Sequence, residues 1–211
     1  MDLRLLPQDH LLKTGEVDHA DWNYRGLLGF VSRRRFRLVV GLLPERRVEK
    51  LLELGYGSGV FLPELARHAR HVYGADVHEH AMDVTRVLER GGTNATLVQA
   101  SAEKLPFASE TFDVVVAVST FEFISDAAAA TEEIARVLRP DGCAIVVTPG
   151  TSPVLDLALR VATGKSAKRD FGDRRSAVVS TLTTRMKLDR MTAFPLQTGV
   201  TVYRALRLVK R

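Results

Sequence analysis

The sequence predicts a doubly wound α/β fold with a mostly parallel sheet, and two observations support that prediction. From residue 48 onward, short apolar stretches alternate with helix-like stretches, the order that a parallel sheet with helices on both faces requires. The first apolar stretch ends in LGYGSG, a loop with glycines at every second position, which is followed by a helix-like segment. Such a loop indicates a ligand site at the carboxyl ends of parallel strands.

The predicted elements follow one another at short intervals. A helix over about 79–90 is expected to end at Gly91-Gly92, where a left-handed residue stops it. The continuous apolar run FDVVVAVST is typical of a strand that is buried on both faces. In order, we expect a strand at 48–55, a helix at 60–70, a strand at 71–77, the helix at 79–90, strands at 95–100 and 112–120, a helix at 126–138, a turn at Asp141-Gly142 and a strand at 143–149.

The 211 residues are expected to form one domain with additions at both sides of this core. Residues 1–47 are predicted to be a helical N-terminal extension that stops at Pro44, and residues 48–211 to be the ligand-binding domain. Within the latter, residues 163–185 look like a loop or mobile insertion, and the tail carries two further apolar runs, MTAFPL and TVYRALRLV.

Composition narrows the class of protein. Apolar residues make up 45% of the chain, but no stretch of eighteen apolar residues occurs and the first residues lack the apolar segment of a signal peptide, so we expect a cytoplasmic protein. The single cysteine, Cys143, lies in a buried-strand pattern and is interpreted as a core residue. His78 and His80 form an H-x-H pair without a third ligand nearby, so no metal site is expected.

Charge is distributed unevenly along the chain. Residues 48–159 have eight Lys/Arg against sixteen Asp/Glu, whereas 160–211 have thirteen against three, and 1–47 include the cluster Arg33-Arg34-Arg35-Arg37. Basic flanks around an acidic core favour an anionic partner, such as a phosphorylated or carboxylated substrate or a peripheral anionic surface. Arginines that only keep the protein soluble are the alternative. DNA is not expected, because no nucleic-acid-binding module is recognisable.

The spacing of the glycines decides which nucleoside fits. A dinucleotide fingerprint, G-x-G-x-x-G, would place its third glycine at Val60, whereas the glycine here is Gly59. This disfavours an NAD-dependent protein. An acid that ends the next strand, Asp76, is placed to accept hydrogen bonds from a ribose diol.

Four segments together resemble the class I methyltransferases that use S-adenosylmethionine. The run E-x-G-x-G-x-G resembles motif I of that family, and HVYGAD, QASAEKLPFASETFD and EEIARVLRPDG resemble the segments that follow it. The resemblance covers roughly residues 48–149 and is closest to the small-molecule branch that includes the quinone-biosynthesis enzymes. It implies a seven-stranded sheet in which the two apolar runs of the tail form antiparallel sixth and seventh strands, and flanking additions that cap the site and select the acceptor.

The resemblance also implies roles for particular residues. The three glycines would allow the cofactor to approach the backbone, Glu53 would help to hold the methionine ammonium, and Asp76 would accept from both ribose hydroxyls. Val77 would pack on the adenine face, and Ser119 would face the reactive sulfonium. The cofactor-binding residues expected in this way are Glu53, Gly55, Tyr56, Gly57, Gly59, Asp76, Val77, Ser101, Ala102, Glu103 and Ser119.

One of these positions departs from the family pattern. The family prefers aspartate where this chain has Ser101, and that aspartate accepts a hydrogen bond from the adenine amino group. A serine hydroxyl can also accept one, but without the charge the bond contributes less. We therefore expect weaker cofactor affinity, with adenine recognition depending more on the backbone at Ala102.

The sequence is least informative about the catalytic residues. Many relatives have a histidine in the motif after the fourth strand, but this chain has Phe121-Glu122-Phe123. Glu122 is a candidate general base or amine-holding group, with a surface charge as the alternative, and the two phenylalanines suggest an apolar acceptor pocket. His19 is a second candidate base if the N-terminal segment folds over the site as a lid.

These observations together predict transfer of a methyl group from S-adenosylmethionine to a small-molecule acceptor, anionic or lipid-like, by direct SN2 displacement. In such a reaction positioning contributes most, because the sulfonium already carries the leaving group. Two alternatives stay open. One is a non-catalytic S-adenosylmethionine-binding regulatory partner, suggested by the missing histidine and by Ser101. The other is a methyltransferase that acts on RNA or protein. The sequence does not determine the oligomeric state.

Overall fold

The strands of this protein form one sheet. The structure, a computed structural model, describes residues 2–15, 18–150, 174–195 and 201–211. Numbered along the chain, the strands are β1 (Val48–Leu54), β2 (Ala69–Asp76), β3 (Thr96–Gln99), β4 (Phe112–Val118), β5 (Leu138–Pro149), β6 (Met186–Pro195) and β7 (Thr201–Lys210). Their order is β3-β2-β1-β4-β5-β7-β6. The first five strands are parallel, and β7 is antiparallel to both β5 and β6. The predicted seven-stranded, mostly parallel sheet is therefore confirmed.

Local signals explain where the helices begin and end. Pro63 lies in the first turn of the second helix, where its missing N–H costs nothing. The Asp126 side chain accepts from the Ala129 N–H at 2.9 Å and caps the fourth helix. Gly92, with φ of +70°, ends the third helix as predicted. The helices are α1 (Gly26–Val40), α2 (Leu62–His68), α3 (Ala81–Arg90), α4 (Ala127–Val137) and α5 (Arg174–Arg185), with 3-10 turns at Gln8–His10, Ala20–Tyr24 and Phe121–Phe123.

The central strands are buried on both faces, as the continuous apolar runs predicted. Leu51 packs in one cluster with residues of α1, α2 and α3, whereas its neighbour Leu52 packs in a second cluster with residues of α4 and α5. The same alternation continues along β4 and β5. Each fully buried Val, Leu or Ile contributes on the order of 1.5–3 kcal/mol, so the two clusters hold the sheet between its helices.

Several boundaries differ from the sequence prediction, and pairing explains them. The second strand begins at Ala69 instead of 71, because Ala69 pairs with Val48. The fifth begins at Leu138 and takes in the expected turn at 141–142, with a register shift opposite Phe112 and Val114. The segment 163–185 was predicted to be a loop or mobile insertion, which is wrong for its last twelve residues. They form α5, whose Val178 and Leu182, one turn apart, are buried in the second cluster.

The N-terminal extension is attached to the domain. The Leu6 N–H donates to the Val60 carbonyl at 3.0 Å, and the Leu6 side chain is buried. The Arg4 N–H donates to the Glu64 carboxylate at 2.6 Å. Phe36 and Val39 of α1 belong to the first hydrophobic cluster. These contacts fix the extension beside the glycine loop, while its role as a lid stays a prediction.

Candidate functional site

The candidate site lies at the carboxyl ends of β1, β2 and β4, where the sequence placed it. These three strands are neighbours in the sheet, and their ends are Leu54, Asp76 and Val118. The Gly55 N–H donates to the Ala75 carbonyl at 2.8 Å, and the Thr120 hydroxyl donates to the Leu54 carbonyl at 3.1 Å. The three loops are therefore joined to one another directly beyond the strands.

Glu53 is buried at this edge without a hydrogen bond to one of its oxygens. Its side chain lies on the same face as Leu51, is only 4% exposed, and its Oε2 has no partner within the described part of the chain. Burial raises the pKa of Glu53 well above its ordinary value, and the nearby Asp76 raises it further, whereas Arg35 lowers it. A buried carboxyl with a free oxygen is costly unless a cation or donor arrives, so this position is suited to a positively charged ligand group.

The three glycines of the loop are not equivalent. Gly55, Gly57 and Gly59 all have positive φ, at +69°, +51° and +74°. A Cβ at Gly55 would lie 2.5 Å from Thr120 Oγ1, and one at Gly59 would lie 2.9 Å from Val84 Cγ1, so packing alone excludes a side chain at both. A Cβ at Gly57 would meet nothing closer than the Asp18 carboxyl group at 3.7 Å. The surface over Gly57 is thus bare backbone that a ligand can approach.

Asp76 and His78 hold the peptide groups of Gly57. The Gly57 N–H donates to Asp76 Oδ2 at 2.8 Å, and His78 Nε2 lies 3.0 Å from the Gly57 carbonyl oxygen. Because His78 Nδ1 accepts from the His80 N–H at 3.1 Å, the proton of the neutral ring is on Nε2, which donates to Gly57. His78, considered in the sequence only as a poor metal ligand, therefore orients the glycine loop.

Tyr56 is placed differently from the expectation that it binds the cofactor. Its ring is buried, packs edge-on against His78 with centroids 4.9 Å apart, and lies so close to Gly74 that a Cβ there would be 2.7 Å from Tyr56 Cδ1. Burial raises the pKa of the Tyr56 hydroxyl group. The ring fills the space over β2, so only the backbone of this residue belongs to the open loop.

The loop after β3 shows how the departure at Ser101 is accommodated. The Ser101 hydroxyl accepts from the Glu103 N–H at 3.2 Å and lies 3.4 Å from Glu103 Oε2. Glu103 Oε1 accepts from the Asp126 N–H at 2.7 Å, which ties this loop to the start of α4. Val77 is 68% exposed at the end of β2, as expected of an apolar residue reserved for a flat ligand. Ala102 follows Ser101 and is half-buried against the second cluster.

At the end of β4 the chain turns sharply. Ser119 has φ of +55°, a conformation that L-residues seldom adopt and that costs about 1–3 kcal/mol. Its hydroxyl is buried and has no hydrogen-bond partner among the described residues. Glu122, in the 3-10 turn that follows, is 2% exposed, so the alternative that it is a surface charge is wrong. Phe121 is core, whereas Phe123 is 45% exposed.

His19 lies in the N-terminal extension. Its ring stacks on Trp22 with centroids 4.4 Å apart, and both line a cavity of about 420 Å³ together with Lys13, Asp21 and Arg25. Asp18, the preceding residue, accepts from the Thr14 hydroxyl and the Ala20 N–H, and its carboxyl group lies over Gly57. The extension thus reaches the glycine loop through Asp18, which the sequence gave no reason to single out.

Arg35 and Thr120 are two further residues near the site that sequence reasoning missed. The motif match covers the core from residue 48, so it carried no information about α1, and the four arginines there looked alike. Thr120 contacts Gly55 only because β1 and β4 are adjacent, a long-range pairing that no local pattern reveals.

Two negative findings complete the description. Among residues 2–15, 18–150, 174–195 and 201–211, no three His, Cys, Asp or Glu side chains are grouped as a metal site. The helices in this part of the chain include none that could cross a membrane.

Comparisons with known proteins agree with the geometry. The family model described as "Methyltransferase domain" matches residues 52–146. The uncharacterized methyltransferase YcgJ of Bacillus subtilis is 28% identical over 137 residues, 63% of this chain and 54% of that protein. The ubiquinone/menaquinone biosynthesis C-methyltransferase UbiE of Haemophilus ducreyi is 34% identical over 137 residues, 62% of this chain and 52% of its own.

A solved structure shows the same fold. The N-methyltransferase NodS from Bradyrhizobium japonicum, in complex with S-adenosyl-L-homocysteine, superposes with a TM-score of 0.66 over 94% of each chain at 17% identity. This chain spans about half the length of the two curated relatives just described.

Proposed function

Since this chain belongs to the class I S-adenosylmethionine-dependent methyltransferases, we propose that it transfers the methyl group of that cofactor to a small-molecule acceptor. The observation that carries the proposal is the buried carboxyl of Glu53, which has an oxygen without a hydrogen bond beside a bare glycine loop. The cofactor has an ammonium group at one end and a ribose diol in its middle, and the site offers Glu53 for the first and Asp76 for the second.

The residues present fit the cofactor. Asp76 ends β2 and keeps one oxygen directed at the Gly57 N–H, which leaves acceptor capacity for hydroxyl groups. Ser119 adds a buried hydroxyl without a partner at the end of β4. Orphaned polar atoms are uncommon in folded proteins, and here Glu53 and Ser119 both carry one beside the same loops. We infer that the site is shaped for a polar ligand that satisfies both.

Position accounts for most of the catalysis that this chain can provide. When bound, S-adenosylmethionine supplies a methyl group that is already attached to its leaving group. Glu53 and Asp76 then fix two points along one ligand, while the glycine loop keeps water out from below. We propose Glu122, buried after β4, as the group that accepts a proton if the acceptor loses one. His19, in the cavity of the extension, is the second candidate.

A cluster of aromatic and cationic groups supports an anionic or lipid-like acceptor. The Arg34 guanidinium lies 4.4 Å from the Phe30 ring centroid and 5.0 Å from that of Phe194. Phe194 pairs with Tyr203, which pairs with Pro149 at the carboxyl end of β5, so the cluster lies at the same edge of the sheet as the glycine loop. It is three strand positions, roughly 14 Å, from β4. An acceptor that reaches both would be elongated.

Binding of S-adenosylhomocysteine is the first test. Saturation at about a hundred times the dissociation constant stabilises by roughly 2.7 kcal/mol, which for a domain of this size raises Tm by about 5–10 °C. NADH in parallel is expected to give no rise. Absence of a rise with S-adenosylhomocysteine would contradict the proposal.

Turnover separates an enzyme from a binding module. Transfer of a labelled methyl group by the purified chain alone, to an anionic small molecule, is expected. Binding without transfer to any acceptor would favour the non-catalytic regulatory partner. Transfer to RNA that disappears at raised salt would place the acceptor among the nucleic acids.

A further inference from the structure

Arg35 lies beside the candidate site and is fixed there by aromatic packing. The Phe36 ring stacks on Phe61 at 4.3 Å with an interplanar angle of 15°, and the Arg35 guanidinium carbon lies 4.8 Å from the Phe36 ring centroid. Phe61 is two residues beyond Gly59 and precedes α2. This packing places the middle of α1 against the end of the glycine loop.

Arg35 differs from its neighbours in the basic cluster. An Nη atom of Arg33 donates to the Asn23 carbonyl, and Arg34 lies over Phe30 and Phe194. Arg35 makes no hydrogen bond or ion pair with any residue that the structure describes, and its Nε is buried without a partner. A guanidinium with a buried donor and no acceptor is unfavourable unless an anion completes it.

The opposite charge is nearby but is not paired with it. Within the described part of the chain, Glu53 and Arg35 form no ion pair, although the Arg35 charge lowers the pKa of Glu53. Glu53 is almost fully buried and also has a free oxygen. The protein thus keeps a carboxyl group and a guanidinium group at one site, with both left open.

We propose that Arg35 binds the α-carboxylate of the cofactor's amino-acid end, opposite Glu53, which takes the α-ammonium. This inference rests on the proposed function and adds a residue that lies outside the matched motifs. An α-amino acid carries its two charges on adjacent groups, so one ligand satisfies both orphaned side chains at once. The planar guanidinium is suited to a carboxylate because it can donate two parallel hydrogen bonds.

The arrangement makes the amino-acid end a recognition element. A ligand with the ammonium but no carboxylate would leave Arg35 unsatisfied in its buried position and should bind more weakly. Decarboxylated S-adenosylhomocysteine, in which an aminopropyl group replaces the amino-acid end, is such a probe. Its comparison with S-adenosylhomocysteine isolates the carboxylate.

Calorimetric titration of both ligands into the wild-type chain and into Arg35→Gln tests the proposal. We expect the wild type to prefer S-adenosylhomocysteine by about 10- to 100-fold, as a charge-assisted hydrogen-bonded pair allows. Arg35→Gln should lose most of that preference, and it should bind the decarboxylated ligand within about twofold of the wild type. Arg34→Gln, which removes the same charge one residue away, should keep the wild-type preference.

The outcomes are distinguishable. Equal weakening of both ligands by Arg35→Gln would make Arg35 a structural residue, and unchanged affinity for S-adenosylhomocysteine would show that it does not touch the ligand. Either result overturns the inference and leaves the proposed function standing. Failure of the wild type to bind S-adenosylhomocysteine would instead overturn the proposed function. If Arg35→Gln does not fold, Arg35→Lys keeps the charge without the planar fork and should show an intermediate preference.

Discussion

Two loops at the same edge of the sheet each contain a carboxyl group that is largely withdrawn from water, and they use it in opposite ways. In the loop after β1, Glu53 has an oxygen without a partner. In the loop between β3 and β4, Glu133 of α4 accepts from the Leu105 N–H at 2.7 Å and from Arg136 at 2.6 and 2.8 Å. Arg136 also donates to the carbonyls of Leu105 and Phe107.

The pKa values of the two carboxyl groups shift in opposite directions for this reason. The hydrogen bond from Arg136 lowers the pKa of Glu133 the most, whereas burial raises that of Glu53 the most. A completed network stabilises the fold, and an incomplete one keeps its binding capacity for something outside the chain. Four substitutions test that distinction, beginning with the largest expected effect.

Replacement of Asp76 by alanine should nearly abolish cofactor binding. The change removes the acceptor for the ribose diol, whose charge-assisted hydrogen bonds contribute about 1.5–3 kcal/mol each, and it frees the Gly57 N–H. We expect at least a 100-fold loss of affinity for S-adenosylhomocysteine by calorimetry. Asp83→Ala, which removes an exposed carboxylate from α3, is the control and should bind normally. Undiminished binding in Asp76→Ala would remove this residue from the site.

Gly55→Ala should affect the fold more than any other alanine in the loop. The new methyl group would lie 2.5 Å from Thr120 Oγ1 and would adopt a left-handed conformation. We expect a loss of about 2–5 kcal/mol in the free energy of unfolding, from overpacking and backbone strain together. Gly92→Ala, with φ of +70° but open space around it, isolates the strain and should cost about 1–2 kcal/mol. Equal losses in chemical denaturation would contradict the packing argument.

Glutamine at the two carboxyl positions should separate stability from binding. Glu133→Gln is expected to lose about 1–3 kcal/mol of stability and to keep its affinity for S-adenosylhomocysteine. Glu53→Gln should keep or gain stability at neutral pH, because it removes a buried charge, and should lose affinity. Thermal unfolding with and without ligand measures both quantities. A Glu53→Gln protein that is much less stable without ligand would show that Glu53 is a structural residue.

The two variants should also differ in their dependence on pH. The folded pKa of Glu53 is raised, so its ionisation subtracts stability as pH rises from the ordinary value of 4.5 through the raised one. The folded pKa of Glu133 is lowered, so its contribution is complete above 4.5 and is lost as pH falls through the lowered value. The advantage of Glu53→Gln over wild type should therefore grow with pH, and the deficit of Glu133→Gln should shrink in acid.

The smallest effect is expected from restoring the family's residue at position 101. In Ser101→Asp the new carboxylate can accept from the adenine amino group, but it would also lie near Glu103 Oε2, which repels it. We expect affinity for S-adenosylhomocysteine to increase by about 2- to 10-fold. Calorimetry against Ser101→Ala, which can do neither, is the matched comparison. Weaker binding in Ser101→Asp than in the wild type would mean that Glu103 determines this loop.

Local patterns were sufficient to predict most of the fold. Alternating strand and helix signals, Gly92 at the end of α3 and the apolar run of β4 each depend on residues close together in the chain, and the structure confirms them. The position of Asp76 at the end of β2 followed from the same logic. What escaped the sequence depends on contacts between distant segments. Tyr56 turned over Gly74, and Glu103 held the start of α4.

The arginines of α1 show the same limit. Their local sequence gave four adjacent, similar charges, and only the stacking of Phe36 on Phe61 distinguishes Arg35. Likewise, α5 looked like a loop because its composition is polar, and its helix depends on burial of Val178 and Leu182 against α4. A pattern that is one turn long cannot report a partner that lies forty residues away.

The strand order also constrains how the chain is assembled during synthesis. β7 follows β6 in sequence but lies between β5 and β6 in the sheet. On a ribosome, β6 therefore leaves before the strand that it pairs with, and its backbone groups have no sheet partner until β7 has emerged. The five parallel strands can assemble first, and this edge is completed last. Translation speed through the final strands thus determines how long an unpaired β-edge is exposed to other nascent chains.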